Sequence, residues 1–454
     1  MLDLYRPINK YLIYPLYYWK NSDTRLKRLA ALEKSQYFSK NELESLQQER
    51  LQKIVSYAYE HTRYYRRIMR ERDLTPADIQ TLQDVQKLPL LTKSIIQNNL
   101  PEMLSNQFDK KDLVKDSSGG STGEPTIYYK DIERHTLRRA DQIRHDRWSG
   151  WDIGKRKALI WGAQRDLTAA RSFRENILAT YLERQWELDA FEMSDCEMFD
   201  YARKLERIRP SMILGYANAL YLFASFLQRK IPNHTIKCDG VVSSAETLSE
   251  TKREFIESVF KCKVLNRYGS REVGLIASEC QQQQGLHINA ENLLLELVDQ
   301  TGKSVEEGSG DIVVTDFWNF GMPIIRYQLG DVGTRSTDAC DCGRGLPLLG
   351  AVEGRCSDFL VNRQGHKIHG EYFTHLFYEL PQVKQFRLVQ ESLDQVNLTV
   401  VENIRQLNTD YLNEVVKKTK AMLGEDVKIN LSVVDSIPTT KTGKLLFTQS
   451  KVSG

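Results

Sequence analysis

The sequence lacks a charge excess, a long apolar run and an even set of cysteines. Lys and Arg total 63 against 60 Asp and Glu, a formal net charge of +3 over 454 residues. Bulk charge therefore gives no reason to expect a nucleic-acid partner. No run reaches the roughly 18 uninterrupted apolar residues of a membrane-spanning helix. The seven cysteines are Cys196, Cys238, Cys262, Cys280, Cys340, Cys342 and Cys356. An odd number without an export signal points to reduced thiols in a cytoplasmic protein, not to a disulfide framework. Internal repeats are absent, and the only low-complexity stretch is the glutamine run at 281–284. What remains is ordinary for a globular protein with a real core: 41% hydrophobic and 27% charged residues. The length calls for two or three domains.

The amino-terminal segment is unusual. Residues 11–19 read YLIYPLYYW, with Lys10 before and Lys20 after. The run is too short to span a bilayer and lacks the small-residue cleavage site of a secretory signal. Two readings stand. It packs on the body as an aromatic arm, or it lies at a membrane interface, where Tyr and Trp favour the headgroup level.

Residues 23–100 are charged and helix-like. Leu43, Leu46, Leu51, Ile54, Val55 and Tyr57 recur at roughly helical spacing, and Asn41 is placed to cap that helix. From about 110 to 350, short apolar runs alternate with amphipathic segments. Residues 158–162, 211–216, 240–244 and 263–269 read as buried strands, and 199–209 and 249–260 as helices. That alternation predicts an α/β fold with parallel layers. Beyond 290, LLLELV, DIVVTDF and PIIRYQL predict a β-rich subdomain. From 357 onward, strands at RLVQES, VNLTVVE and VKINLSVVDSI flank a helix at 407–423, a small α+β pattern.

The loudest local signal is SSGGSTGEPTIYY at 117–129. Glycines permit unusual torsions, and successive backbone N–H groups with Ser and Thr hydroxyls form an anion-binding nest. No Lys-Ser/Thr pair follows the glycines, so this is not a Walker loop. Four further blocks follow in order: NRYGSREVG at 266–274, YQLGDVG at 327–333, EGRCSD at 353–358 and IPTTKTGK at 437–444.

Five blocks in this order and spacing resemble the adenylate-forming superfamily of acyl-CoA synthetases, luciferase-like enzymes and adenylation domains. The resemblance covers residues 115–445. The helical start with YAYEHTRYYRR at 57–67, the SSGGSTGEPT wording and CDCGRGLP at 340–347 are most similar to the phenylacetate–CoA ligase branch and its capsular-polysaccharide relatives. The resemblance implies three regions. Residues 1–100 form a helical part of a large multi-layer domain with mixed sheets. Residues 101–355 form the ATP- and acyl-binding core with its β-rich subdomain. Residues 356–454 form a mobile α+β lid that turns at a hinge near Asp358.

It also implies roles. Ser118, Gly119, Gly120, Ser121, Thr122 and Gly123 match the phosphate loop. Ser244, Ala245 and Glu246 match the adenine-site turn. Tyr268, with Gly269 and Ser270, matches the aromatic block beside adenine, where a flat ring suits stacking. Glu272 matches the Mg²⁺ ligand, a carboxylate suited to a hard cation. Asp331 matches the acceptor for the ribose diol, although Asp before Gly in a turn is common without any ligand. Arg355 matches the arginine near ribose and phosphates. Lys444 matches the lid lysine that stabilises charge on the attacked phosphate. Two positions depart from the pattern. Glu124 stands where a lysine often follows the loop's last glycine, and Ser357 replaces the first of two hinge acids.

Cys280 and His287, seven residues apart, together with Cys340 and Cys342, form a Cys₃His set of the kind that holds structural zinc. The branch resemblance supports that assignment, although C-x-C is tighter than the usual spacing. The implied reaction is ATP- and Mg²⁺-dependent conversion of a carboxylic acid to an acyl-adenylate. Acyl transfer to a thiol such as coenzyme A or to an amine follows. Residues 161–165, 215–219 and 242–246 are expected to line the acyl pocket. A homodimer is a further expectation, as is peripheral membrane contact through the aromatic arm at the inner face. The opposing reading is an inactive relative that serves as an assembly scaffold.

Overall fold

The computed structural model describes residues 3–118, 126–162, 173–190, 192–299, 301–305, 308–336, 339–353, 359–365, 367–377, 383–402, 409–437 and 447–452. The chain forms two compact units. The first comprises Met1–Ser118, Thr126–Ile153 and Leu265–Gly354; the second comprises Gly119–Pro125, Gly154–Val264 and Arg355–Gly454.

The first unit is helical in its amino-terminal part, as the apolar spacing predicts. Its long helix Lys40–His61 buries Leu43, Leu51, Ile54, Val55 and Ala58. That helix starts two residues earlier than Asn41 suggests. Ser39 caps it in a reciprocal box, accepting from the Glu42 amide at 3.4 Å while the Glu42 carboxylate accepts from the Ser39 amide at 2.7 Å. A Ser-x-x-Glu pair satisfies two orphan donors together, which a lone Asn41 does not.

Antiparallel strands make the rest of this unit, in the order Leu293–Val298, Ser309–Asp316, Tyr327–Arg335, Leu348–Glu353, Leu286–Ile288, Gly274–Glu279, Val264–Ser270. The expected strand PIIRYQL begins only at Tyr327. Arg326 explains the late start. It adopts φ +55°, and its buried guanidinium donates to the carbonyls of Leu88 and Gly302, both at 2.8 Å, and pairs with Glu296. A left-handed residue committed to those bonds cannot extend a ladder.

Buried polar bonds fasten the helices to the sheet. Glu291 receives Ser35 Oγ at 2.7 Å and Arg144 at 2.5 Å, while its carbonyl receives Arg50. Buried charges are tolerated in such a setting because each is paired and hydrogen-bonded. Gly345 marks the tightest approach. Its amide donates to the Gln36 carbonyl at 2.9 Å, and a Cβ there would run into the Phe38 carbonyl oxygen. Gly345→Ala should therefore destabilise the protein by about 2–4 kcal/mol, more than overpacking of an adaptable side chain costs. Urea unfolding of the variant beside the parent checks this.

The second unit carries the parallel layer that the alternating pattern predicts. Its strands run in the order Gly240–Ser244, Met212–Tyr216, Lys157–Trp161, Gln185–Asp189, all parallel. Helices Asp195–Ile208, Ala217–Lys230 and Glu250–Phe260 supply apolar faces, with Phe223, Phe226, Leu227 and Ile256 fully buried. The same unit contains a four-stranded mixed sheet, ordered Lys428–Val434, Gln395–Glu402, Val383–Ser392, Thr448–Ser450. Phe377 and Phe386 stack at 3.9 Å in its core. This is the small α+β element expected near the carboxy terminus. The fold is thus mixed α/β. Among the described residues, no helix is long and apolar enough to cross a membrane.

Candidate functional site

In the first unit, Tyr268 and Asp331 meet. The Tyr268 hydroxyl donates to Asp331 Oδ2 at 2.9 Å, across 63 residues of sequence. Asp331 does not lie in a turn after a strand, as expected, but within the strand Tyr327–Arg335. The expectation rested on Gly-Asp-Val-Gly as a turn sequence. Instead, Gly330 takes φ +85°, and the ladder continues past it through a bulge. Asp311 stands opposite Val332, yet Val313 stands opposite Gln328, so residues 329–331 face a single partner position. A second register break falls between Tyr268 and Gly269. There the strands approach so closely that a Cβ on Gly269 would meet the Gly274 carbonyl at 2.7 Å. Bulges re-aim side chains and terminate pairing. Here one bulge lies on the strand that carries Asp331, and the other lies opposite Tyr268, where Ile276 is the extra residue of the partner strand.

Glu272 occupies the turn between Val264–Ser270 and Gly274–Glu279, two residues beyond Ser270. It is buried, and its Oε1 accepts from the Tyr327 hydroxyl at 3.0 Å. The same turn is tied to the hairpin that brackets the glycine-rich loop. Strands Val114–Ser118 and Thr126–Lys130 pair antiparallel, ending at Ser118 opposite Thr126. Lys130 Nζ donates to the Arg271 carbonyl at 2.6 Å and reaches Asp116 at 3.4 Å. Burial first, and then the neighbouring Arg138, lower the Lys130 ammonium to about 8. Sequence reading missed Lys130. The available signal was the period-2 alternation that puts Thr126, Tyr128 and Lys130 on one face. Tyr128 on that face is held well above its ordinary range by burial and by the Asp116 and Glu272 carboxylates.

In the second unit, Trp161, Tyr216 and Ser244 stand at the carboxyl ends of three neighbouring parallel strands. That edge is where open parallel sheets characteristically bind ligands. Trp161 stacks on Tyr216 at 4.2 Å, and Tyr216 donates to the Gly162 carbonyl at 3.1 Å. Ala245 takes φ +69°, a strained torsion for alanine. Glu246 then accepts from the Asn218 amide at 2.8 Å and from its side chain at 3.2 Å. Residues 215–219 and 242–246 are thereby held to one another, while 163–165 of the expected pocket lining lie outside the described residues.

The four expected metal ligands also converge in the first unit. Cys280 follows the strand Gly274–Glu279, His287 lies in Leu286–Ile288, and Cys340 and Cys342 precede Leu348–Glu353. All four ligand atoms lie within 4.8 Å of one another. Cys280 and Cys340 sulfurs are 3.5 Å apart, and Cys342 Sγ is 3.4 Å from His287 Nε2. Tetrahedral zinc with Zn–S near 2.3 Å has ligand–ligand edges of about 3.5–3.8 Å, so the set fits. Burial, joined by Arg344, lowers His287 to about 4 and keeps its imidazole neutral. Burial also pushes the Cys340 thiol up to about 12 and raises that of Cys280. Metal coordination is the ordinary way to stabilise thiolates in such a place. Outside the ligands, Gln284 and Asp341 clasp the two loops, with bonds of 2.7 and 2.9 Å. Gln36 Oε1 accepts from Trp148 at 3.1 Å and from Arg344 at 2.9 Å.

Gly119, Gly120, Ser121, Thr122, Gly123, Arg355, Asp358 and Lys444 lie outside the described residues. Ser118 is described by its backbone alone.

Comparison with known proteins spans nearly the whole chain. Phenylacetate-coenzyme A ligase of Thermus thermophilus is 24% identical over 441 residues, covering 89% of this chain and 96% of that protein. Protein CapK of Staphylococcus aureus is 23% identical, covering 90% and 89%. Residues 360–451 match the CapK C-terminal domain. Over most of its length, at about 24% identity, the chain is similar to the phenylacetate–CoA ligase and CapK branch of the adenylate-forming superfamily. The fold agrees. A 2-hydroxyisobutyryl-CoA ligase structure aligns with a TM-score of 0.64 at 18% identity, covering 91% of each chain. That family is one of adenylate-forming ligases, and ATP with Mg²⁺ is typical of it.

Proposed function

We propose that this ligase converts a carboxylic acid to an acyl-adenylate and passes the acyl group to an amine on a surface-polysaccharide precursor. The observation that carries the adenylation half is the Tyr268–Asp331 pair, which joins residues 63 apart in sequence. The pairing supports a reading in which the ring lies beside adenine and the carboxylate accepts from the ribose diol. In the first step the carboxylate oxygen attacks the α-phosphorus and pyrophosphate leaves. Arg355 and Lys444 supply positive charge where negative charge develops. Glu272 would hold Mg²⁺, which neutralises phosphate charge. In the second step the amine nitrogen attacks the acyl carbon, AMP leaves and a proton is lost. Residues 356–454 would turn as a lid between the two steps. The structural zinc reading rests on the four-ligand geometry, and such a site leaves no open position for chemistry.

The amine acceptor rests on the CapK branch. Thioester formation with coenzyme A is the second reading, favoured by the several relatives that are phenylacetate-coenzyme A ligases. Hydroxylamine trapping with ATP, Mg²⁺ and a panel of uronic acids, amino acids and aryl acids tests adenylation. Coenzyme A and amino sugars then compete as acceptors. A CoA thioester formed as fast as the hydroxamate would overturn the amine reading. No hydroxamate with any acid, and no thermal shift with ATP, would favour the scaffold.

Asp331→Ala removes both acceptor oxygens for the diol. It should lower kcat/KM for ATP by about 10–100-fold, the loss expected for a charged hydrogen-bond acceptor. Tyr268→Phe, which removes the hydroxyl and keeps the ring, should cost less. ATP titrations of hydroxamate formation read both.

A further inference from the structure

The amino-terminal segment forms one helical rod: Tyr5–Ile8, a π-helical turn Asn9–Ile13, then Tyr14–Lys20. Its buried face is Asn9, Tyr14 and Tyr18. The opposite face is apolar and exposed. Leu4 is 74% exposed, Tyr11 73% and Trp19 78%, with Ile8, Leu12 and Leu16 about half exposed or more. This reverses the usual amphipathic arrangement, in which the apolar stripe faces the core.

The π-turn decides the pattern. An ideal α-helix turns by about 100° per residue, and at that spacing Tyr14 and Tyr18 would fall beside Tyr11 on the outer face. The wider turn at Asn9–Ile13 retards the register by most of one residue. Leu4, Ile8, Leu12, Leu16 and Trp19 then share one outer stripe, and Asn9, Tyr14 and Tyr18 share the inner one. π-turns of this kind cluster at functional sites.

The rod cannot roll to hide the stripe. Arg25 lies over the Tyr18 ring at 3.5 Å, and Lys10 is paired with Asp152 at 2.5 Å. One aromatic face therefore packs on the body, as the first reading of the sequence expects, and the other remains outward. Exposed cations flank the stripe, Arg6 at one end and Lys20 at the other, with no acid within the rod and Asp3 just before it. Self-pairing of this face would set like charges against each other, Arg6 on Lys20 if antiparallel and each on itself if parallel. An anionic surface meets both ends favourably.

We propose that this rod docks the protein on anionic lipid, lying in the headgroup plane with Leu12, Leu16, Tyr11 and Trp19 inserted. Tyr and Trp prefer that depth, and an in-plane helix with flanking cations binds reversibly. The proposal is independent of which acceptor the ligase uses. The test is flotation of the full chain with vesicles of phosphatidylcholine, alone or mixed with phosphatidylglycerol. The protein should float with the mixed vesicles and be released by salt. Leu12→Glu/Leu16→Glu should reduce binding on the order of tenfold or more, with an unchanged melting temperature because both sites face outward. Failure to float with mixed vesicles at low salt overturns the proposal, as does binding that the double substitution leaves intact. So does a dimer, seen by sedimentation, that the same substitution splits without any vesicle binding.

Discussion

Lys444→Ala should lower acyl-adenylate formation by about 10²–10³-fold, the usual cost of removing one donor aimed at developing charge. Adenylation gathers negative charge on the attacked phosphate and the departing pyrophosphate, and the protein contributes mainly placed positive charge. The glycine-rich loop carries Glu124 where a lysine is common in the phosphate loop it resembles, so on that reading fewer cations are at hand and the dependence on Lys444 should be steep. Three readouts separate this from a folding defect. The melting temperature should be unchanged. The thermal shift with ATP should persist, because Tyr268 and Asp331 remain. Acyl transfer from a supplied acyl-adenylate should survive, since that step does not need charge on the leaving pyrophosphate. Full hydroxamate formation by the variant would remove Lys444 from the mechanism.

Cys340→Ser should release the metal and lower the melting temperature of the first unit by roughly 10 °C. A ligand present at about a thousand times its dissociation constant contributes about 4 kcal/mol, and a unit of this size shifts by about 2–4 °C per kcal/mol. The effect should reach the nucleotide side as well. Cys280 directly follows the strand Gly274–Glu279, which pairs with the strand carrying Tyr268. A modest rise in KM for ATP should therefore accompany the loss of stability. Mass spectrometry of the native parent should find one zinc per chain. A metal-free parent with the same melting temperature as the variant would refute the site.

Three of the four parallel strands of the second unit were legible because each is a short apolar run, whereas Gln185–Asp189, reading QWELD, was not. The Cys₃His cluster was suggested by residue type and supported by the branch resemblance, and the four residues do converge. The bulges at Asp331 and at Ile276, opposite Tyr268 and Gly269, were not legible. Whether Gly330 turns the chain or kinks a continuing strand depends on the partner strand Ser309–Asp316, which local sequence does not specify. Lys130 was missed for a related reason: its value comes from Asp116, Arg138 and Arg271, which only the fold assembles. At the helix start, Asn41 was chosen on residue type, while the Ser39–Glu42 pair makes two bonds instead of one. The outward apolar stripe was ambiguous in sequence because a single π-turn reassigns every later residue of the rod to a new face.

The fastening of the amino-terminal helices to Glu291 has a consequence in time. Ser35 and Glu291 are separated by 256 residues, and Gln47 likewise waits for the Leu293 carbonyl. At ribosomal speeds of roughly 5–20 residues per second, the helices emerge on the order of tens of seconds before their partners exist. Through that interval Leu51, Ile54, Val55 and Ala58 have no sheet to cover them. The nascent chain therefore presents a sticky helical face to the cell well before it has a nucleotide site, and its yield during synthesis should depend on what shields that face.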